Sequence, residues 1–347
     1  MSAARSRPRL AEGLVIDDRY ELLGKLASGG MGSVWRARHR QLDVEVAVKF
    51  MDATLTGSPE FRGRFEREAR AAARLRTRHV ARVLDHGHFG EVPYIVLELL
   101  DGEDLRALLQ RARRLTPSET CRLVDQLALG LTAAHELGIV HRDLKPSNVF
   151  LAREDGEDIV KLLDFGVAKA VGFGGDEHRT STGVLVGSPN FMSPEQARSE
   201  RDVGPRSDLW SLAVIVYRCL TSRHPFPGEH AADVLLRICK GPIAPPSSLQ
   251  PDLSAKLDAF FERALDRDPA GRFSTAAEFA TALRSSLASG ASAANVQEEP
   301  GASEASYVAH ETIELDVIAG TNGGASPTND VESGVRTTSA IDGSESV

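Results

Sequence analysis

His141-Arg142-Asp143-Leu144-Lys145-Pro146-Ser147-Asn148 decides how this chain is read. The octapeptide lies between two apolar runs, Leu137 to Val140 and Val149 to Leu151, and each run reads as a short strand or a strand-like edge. Pro146 cannot continue a helix, so the residues between are a loop. Such a loop can turn Asp143 and Asn148 toward one spot. A carboxylate there can take a proton from a hydroxyl, and an amide oxygen can bind a hard cation. Sixteen residues after Asn148 comes Asp164-Phe165-Gly166, behind the apolar run Ile159 to Leu163. It offers a second oxygen ligand on a turn that Gly166 frees. Either segment alone suits an ordinary polar surface loop; both together, in this order, point to chemistry.

Upstream, Tyr20 to Leu26 and Trp35 to His39 read as strands flanking Ala27-Ser28-Gly29-Gly30-Met31-Gly32-Ser33-Val34. Small residues between two strands let backbone N–H groups approach phosphates. By itself such a hairpin is equally a plain turn. Val44-Glu45-Val46-Ala47-Val48-Lys49 follows, and its alternation puts Ala47 and Lys49 on one face of a strand. Ser58-Pro59-Glu60 is a helix start, and Phe61, Phe65, Ala69 and Ala72 follow at helical spacing, with Leu75 near the stripe. Glu68 lies beside that stripe; taken alone it is also readable as a solvated helix glutamate. Arg62, Arg64, Arg67, Arg70, Arg74, Arg76 and Arg78 read mostly as a solvated face. Val80 to Asp85 and Pro93 to Leu97 read as strands, with His86 and His88 at the turn between them. Alternate histidines at such a turn read as exposed rather than as a metal site.

The bulk properties fit a soluble globular protein. The chain has 347 residues, 41% of them hydrophobic and 26% charged, which suits one large bilobal domain and a tail. Residues 287–347 carry ten acidic residues and one basic one, Arg336, so the remainder is close to neutral. That balance leaves no nucleic-acid footprint. Cys121, Cys219 and Cys239 fit no zinc spacing, and their odd number argues against a disulfide framework. Met1 to Leu10 has no apolar core for a secretory signal, and Leu209 to Tyr217 is too short to span a bilayer. A reducing cytoplasm is the expected location.

Downstream, Asp104 to Ala112 and Thr116 to Leu137 read as helices, the second opened by the capping signal Thr116-Pro117-Ser118-Glu119. The Gly-, Ser- and Thr-rich stretch from Gly166 to Glu195 reads as a loop. Leu209 to Leu220 is apolar on most sides, a buried helix, so Asp208 at its start is expected to be a buried carboxylate that needs hydrogen bonds. The helical pattern ends near Leu283 to Leu287. Beyond it the composition predicts disorder. The alternating Glu311 to Ile318 is readable as a short docking strand or as plain tail.

Taken together, the motifs from about Tyr20 to Leu287 resemble the eukaryotic-like serine/threonine protein kinases of bacteria. The resemblance implies an α+β bilobal protein kinase fold, with a small β-rich lobe carrying one helix and a larger, mainly helical lobe. It divides the chain into a flexible N-terminus (1–19), an N-lobe (20–97), a hinge (98–102), a C-lobe (103–287) and an acidic, disordered tail (288–347). ATP and Mg²⁺ are the implied cofactors. Leu26, Ala27, Ser28, Gly29, Gly30, Met31, Gly32, Ser33 and Val34 would form the loop over the phosphates, although Ala27 stands where the family has its first glycine. Lys49, paired with Glu68, would grip the phosphates. Asn148 and Asp164 would hold the metal, Asp143 would accept the hydroxyl proton, and Lys145 would steady the γ-phosphate.

The resemblance also assigns the remaining positions. Glu98 and Leu100 would meet adenine through their backbones, behind which stands Leu97, while Val34, Ala47 and Phe150 sandwich the base. Arg142 and Lys169 would meet a phosphate on Thr180 or Thr182, and Ser188 takes the place of the substrate-side threonine. Glu195, in Ser-Pro-Glu rather than the commoner Ala-Pro-Glu, would pair with Arg272, and Asp208 would bind the loop backbone. Lys145, two residues after Asp143, fits Ser/Thr rather than tyrosine kinases. Protein Ser/Thr hydroxyls are the implied substrates, and tail threonines, Thr312 especially, could recruit phosphothreonine-binding partners. A pseudokinase scaffold would be expected to have lost Lys49, Asp143, Asn148 or Asp164, and all four are present. A small-molecule phosphotransferase of related fold would usually lack Asp208 and Arg272.

Overall fold

Alternation of apolar side chains builds the first sheet. In Val44–Met51 (β4), Val46, Val48 and Phe50 face one way. They bury with Tyr20, Leu22, Trp35, Ala37, Tyr94 and Val96. The opposite face brings Met51 and Ile95 against Phe65 and Ala69 of helix Pro59–Ala72 (α1). One strand thus serves two cores, as a period of two residues requires. The structure, a computed structural model, describes residues 10–29, 32–51, 59–165, 189–200 and 202–288. Along the chain it divides into two units, Met1–Glu299 and Pro300–Val347, of which the second lies wholly outside the described residues.

The sheet has six antiparallel strands: Val15–Ile16 (β1), Tyr20–Gly29 (β2), Gly32–His39 (β3), β4, Val83–Phe89 (β5) and Val92–Glu98 (β6), ordered β1-β2-β3-β4-β6-β5. Lys49 lies between Val34 on one neighbour and Ile95 on the other. A second sheet of Gly102–Asp104 (β7), Val149–Glu154 (β8) and Glu157–Leu162 (β9) belongs to the helical part.

The helical core surrounds Pro205–Thr221, fourteen of whose residues are buried. Pro205 at the first position and Ser222 in the left-handed region mark its ends. Leu105–Ala112, Pro117–Glu136, Ala255–Ala264 and Ala276–Ala288 contribute to the same apolar cluster. Thr116 and Glu119 form the capping box expected of them. Leu75 and Val80 also join this cluster. The segment after α1 is therefore anchored to the helical part, and Val80 bridges Leu162 in parallel.

Two local expectations are corrected. Leu137 to Val140 is not a strand. Gly138 takes φ +71 and the N–H of Ile139 returns to Ala134 O, so the run closes the preceding helix. His86 and His88 are not at a turn. They lie within β5, and the turn is at Gly90, with φ +59. Both imidazoles face the Phe65 ring, at 6.5 and 6.0 Å. Ser58, the expected cap of α1, lies outside the described residues.

Candidate active site

A buried carboxylate organises the site. Asp208, with no exposed surface, accepts the N–H groups of His141 and Arg142, each at 2.8 Å, and also meets His135 Nε2 at 2.8 Å. A desolvated carboxylate needs such donors, and by taking two successive backbone amides it sets the path of the loop. Arg142 is held at φ +64, a conformation that costs a non-glycine residue about 1–3 kcal/mol and persists only where its surroundings impose it. Gln196 adds a third hold, donating Nε2 to Arg142 O at 2.7 Å.

The loop then gathers its polar side chains. Lys145 Nζ lies 2.7 Å from Asp143 Oδ2. Asn148 donates its amide to Asp143 O at 2.7 Å and to Oδ2 at 3.2 Å, which directs its own carbonyl oxygen away from the carboxylate. A single turn of 3₁₀ helix, Pro146–Asn148, makes this spacing. Leu163 N–H donates to Asn148 O at 2.9 Å, tying the loop to the residue before Asp164.

Asp164 is also left-handed, at φ +60. Lys49 Nζ reaches its Oδ2 at 2.6 Å, joining the six-stranded sheet to the loop segment. Burial by itself would raise the Asp164 carboxyl, but Lys49, with His141 and Lys145, holds it below the ordinary carboxylate range. Lys49 is thus ion-paired with Asp164. A desolvated carboxylate requires a counter-charge, and Lys49 supplies it. The charge of Glu68, the partner expected for Lys49, also bears on Arg142. Burial lowers the guanidinium of Arg142, and Asp208 and Glu68 oppose the loss of its charge. Arg142 Nε is buried without a partner. His141 donates its Nε2–H to Leu163 O, 2.8 Å away, and packs on the Phe165 ring at 4.7 Å.

Around this centre lie the other anticipated positions. Ala47 is buried beside Lys49, and Phe150 is opposite Lys161 on β9. Ala27 pairs with Val34, Ser28 with Ser33 and Gly29 with Gly32 in the β2–β3 hairpin. Gly32 has φ +135, and an added Cβ would lie 1.9 Å from Phe50 O. Only glycine fits there. Glu98 closes β6, and Leu100 is partly buried just beyond it. Gly30, Met31, Lys169, Thr180, Thr182 and Ser188 lie outside the described residues.

Below the loop, Arg272 grips Glu195 with two bonds of 2.8 Å, both side chains almost wholly buried. Ser207 donates to the same carboxylate at 2.6 Å. Burial would raise the Glu195 carboxyl, but the bonds from Arg272 and Ser207 and the charge of Arg272 hold it low. His135, Gln196, Ser207 and Lys161 were not singled out from the sequence. Gln196 had a visible signal, since Ser193-Pro194-Glu195-Gln196 has the spacing of a capping box, and Ser193 and Gln196 form one. The other three are ordinary residues until the fold brings their partners to them.

The donor set suits a magnesium nucleotide. Asn148 and Asp164 offer hard oxygen ligands, and Mg²⁺ commonly takes one or two protein oxygens and completes its shell from water and phosphate. Gly32 brings the hairpin backbone close against Phe50 O of β4, where a side chain has no room. The sequence model described as protein kinase domain matches residues 20–284. The chain belongs to the protein kinase family. PknL of Mycobacterium bovis, a serine/threonine-protein kinase, is 38% identical over 265 residues, which cover 76% of this chain and 65% of PknL. Pkn1 of Myxococcus xanthus, also a serine/threonine-protein kinase, is 40% identical over 272 residues, 78% of this chain and 38% of Pkn1. The chain thus spans less than two thirds of the length of these relatives. The crystal structure of the Mycobacterium tuberculosis PknI kinase domain superposes with a TM-score of 0.64 at 29% identity, covering 80% of this kinase chain and all of that one. The family and the fold expected from the sequence are therefore established. No described helix of the kinase chain is long and apolar enough to cross a membrane.

Proposed function

We propose that this chain is a magnesium- and ATP-dependent serine/threonine protein kinase that transfers the γ-phosphoryl group to protein hydroxyls. The observation that carries the reading is the convergence of Lys49 and Asp164, 2.6 Å apart, beside the Asp143–Lys145–Asn148 cluster held on Asp208. Phosphoryl transfer needs alignment and charge neutralisation more than covalent help, and these side chains offer both.

Asp143 orients the entering hydroxyl and accepts its proton; Lys145, already at its carboxylate, neutralises charge on the transferring group. Asn148 and Asp164 would hold the magnesium, which would supply charge neutralisation to the phosphates. Lys49 binds phosphate oxygens, and Glu68 is its partner in the active arrangement. The hairpin from Leu26 to Val34 covers the phosphates. Val34, Ala47 and Phe150 hold the base, and Glu98 and Leu100 meet its edge through their backbones. Glu195, Arg272 and Asp208 fix the framework. Autophosphorylation at Thr180 or Thr182 orders the segment carrying Lys169 and Ser188, with Arg142 as a receiver of the phosphate. A phosphorylated Thr312 is a docking point for phosphothreonine-binding proteins.

Incubation of the chain with radiolabelled ATP, Mg²⁺ and casein tests the reading. Label on phosphoserine and phosphothreonine is expected, and Asp143→Asn is expected to lower the rate by about 10²–10⁴-fold. Casein left unlabelled, label on tyrosine alone, or unchanged transfer by Asp143→Asn would each contradict it.

A further inference from the structure

Among the described residues, one lysine is buried: Lys161 of β9, with 3% of its surface exposed. Its ammonium lies 2.9 Å from Glu98 Oε1 and 2.8 Å from Glu154 Oε1. Glu98 is the last residue of β6, where the sheet passes into the connection between the two parts of the domain. The same Glu98 oxygen accepts Arg82 N–H at 2.8 Å, and Glu98 N–H donates to Arg82 O at 3.0 Å. Glu98 is therefore held through its amide and its side chain at once. The neighbouring segment is tied to β9 as well: Ala81 N–H donates to Leu162 O, and Leu162 N–H to His79 O, each at 2.9 Å. In the β8–β9 ladder, Lys161 stands directly across from Phe150.

We propose that Lys161 is a positioning residue for the nucleotide, latching Glu98 to the β8–β9 hairpin so that the edge and the floor of the base site keep one spacing. The proposal rests on the reading of Glu98, Leu100 and Phe150 as the base site. Taking the ammonium out of water, against carboxylates that stay 23% and 33% exposed, offsets much of what their attraction returns, and an apolar side chain of the same volume often fills such a place as well or better. What the charged group supplies is direction. It meets oxygens on two separate strands, and neither can shift without stretching a bond to the other. Domain closure in such proteins turns on a few residues at the ends of elements, and Glu98 is one of these. Lys161 does not touch the phosphates; it acts through Glu98.

The test uses the full chain. The dissociation constant for a fluorescent ADP analogue with Mg²⁺, the KM for ATP, the KM for casein and the thermal midpoint are measured for wild type, Lys161→Met and Lys161→Arg. Lys161→Met is expected to weaken nucleotide binding at least about fivefold, the low end of couplings between linked sites. The KM for casein stays unchanged, and Lys161→Arg, which keeps the charge, recovers most of the affinity. Backbone amides of 98–102 should exchange faster in Lys161→Met. Wild-type affinity in Lys161→Met overturns the proposal. So does a loss shared equally by Lys161→Arg, or one that raises both KM values in step with a lowered midpoint, since either marks a merely structural role. Should Lys161→Met fail to fold, Glu98→Gln takes its place, and unchanged affinity there overturns the proposal equally. A wild-type chain that binds no nucleotide overturns the base-site reading, and the latch with it; a wild-type chain that binds while the variants match it overturns the latch alone.

Discussion

Arg272→Met isolates what the Glu195–Arg272 pair does. In the wild type the pair is out of water, with 0% and 3% of the two side chains exposed. Removing the guanidinium leaves the Glu195 carboxylate with Ser207 as its remaining side-chain donor. Breaking one side of a buried pair costs about 3–5 kcal/mol. At about 2–4 °C per kcal/mol for a domain of this size, the thermal midpoint falls by roughly 6–20 °C. The loss should depend on pH in a definite direction. In the wild type the folded carboxyl lies below its ordinary value, so its stabilisation is present above the unfolded pKa and is lost as pH falls through the folded one. In Arg272→Met burial is no longer outweighed, and the folded pKa moves above the unfolded value of about 4.3. The penalty then grows as pH rises from there, because the unfolded chain releases the proton first. The gap between wild type and variant is therefore smaller at about pH 4.5 than at about pH 7.5. Arg272 also bonds to Asp266 O and stacks over Trp210, contacts whose loss does not depend on pH. Adding Glu195→Gln to Arg272→Met should flatten the pH dependence. Thermal unfolding across this range checks it, and equal gaps at both ends, or a gap that widens toward acid, refute the reasoning.

Two further outcomes are expected. Gly32→Ala places a Cβ against Phe50 O at φ +135, and strain of about 1–3 kcal/mol should lower the thermal midpoint by roughly 2–12 °C and, by displacing the hairpin proposed to cover the phosphates, raise the KM for ATP. A wild-type KM in that variant would contradict the role of the hairpin. Thr180→Ala with Thr182→Ala should leave the chain at the low activity of its dephosphorylated form, as read by casein labelling after pre-incubation with ATP. Full activity in the double variant would remove the proposed activation step.

The Asp143 loop was legible because the chemistry proposed for it restricts residue type at each position. The proposed proton acceptor is a carboxylate, Asp143, the proposed cation ligands Asn148 and Asp164 offer hard oxygens, and Pro146 confines the segment to a single 3₁₀ turn rather than an α-helix. The strand faces of Val44–Met51 and the buried character of Pro205–Thr221 followed from periodicity, which the core enforces. What could not be read depended on partners far away in sequence. Leu137 to Val140 is apolar enough for a strand, but the left-handed Gly138 lets it finish a helix. His86 and His88 looked like turn residues because of Gly87, while Phe65 packs on both rings from another element. The ion pair of Lys49 with Asp164 depends on a carboxylate that the fold buries. Lys161 carries no local mark at all, since a lysine in a strand is ordinarily at the surface and only the positions of Glu98 and Glu154 make it a buried one.

The claim on which the account depends is that Asp164 and Asn148 receive a divalent cation together with the nucleotide that Lys49 binds. Calorimetric titration of ADP into the chain, with and without Mg²⁺, measures it for wild type and for Asp164→Asn. Wild-type affinity should rise at least about tenfold, or about 1.4 kcal/mol, when Mg²⁺ is present, and Asp164→Asn should lose most of that gain while still binding metal-free ADP. An affinity indifferent to Mg²⁺ in the wild type, or the same gain retained by Asp164→Asn, would contradict it.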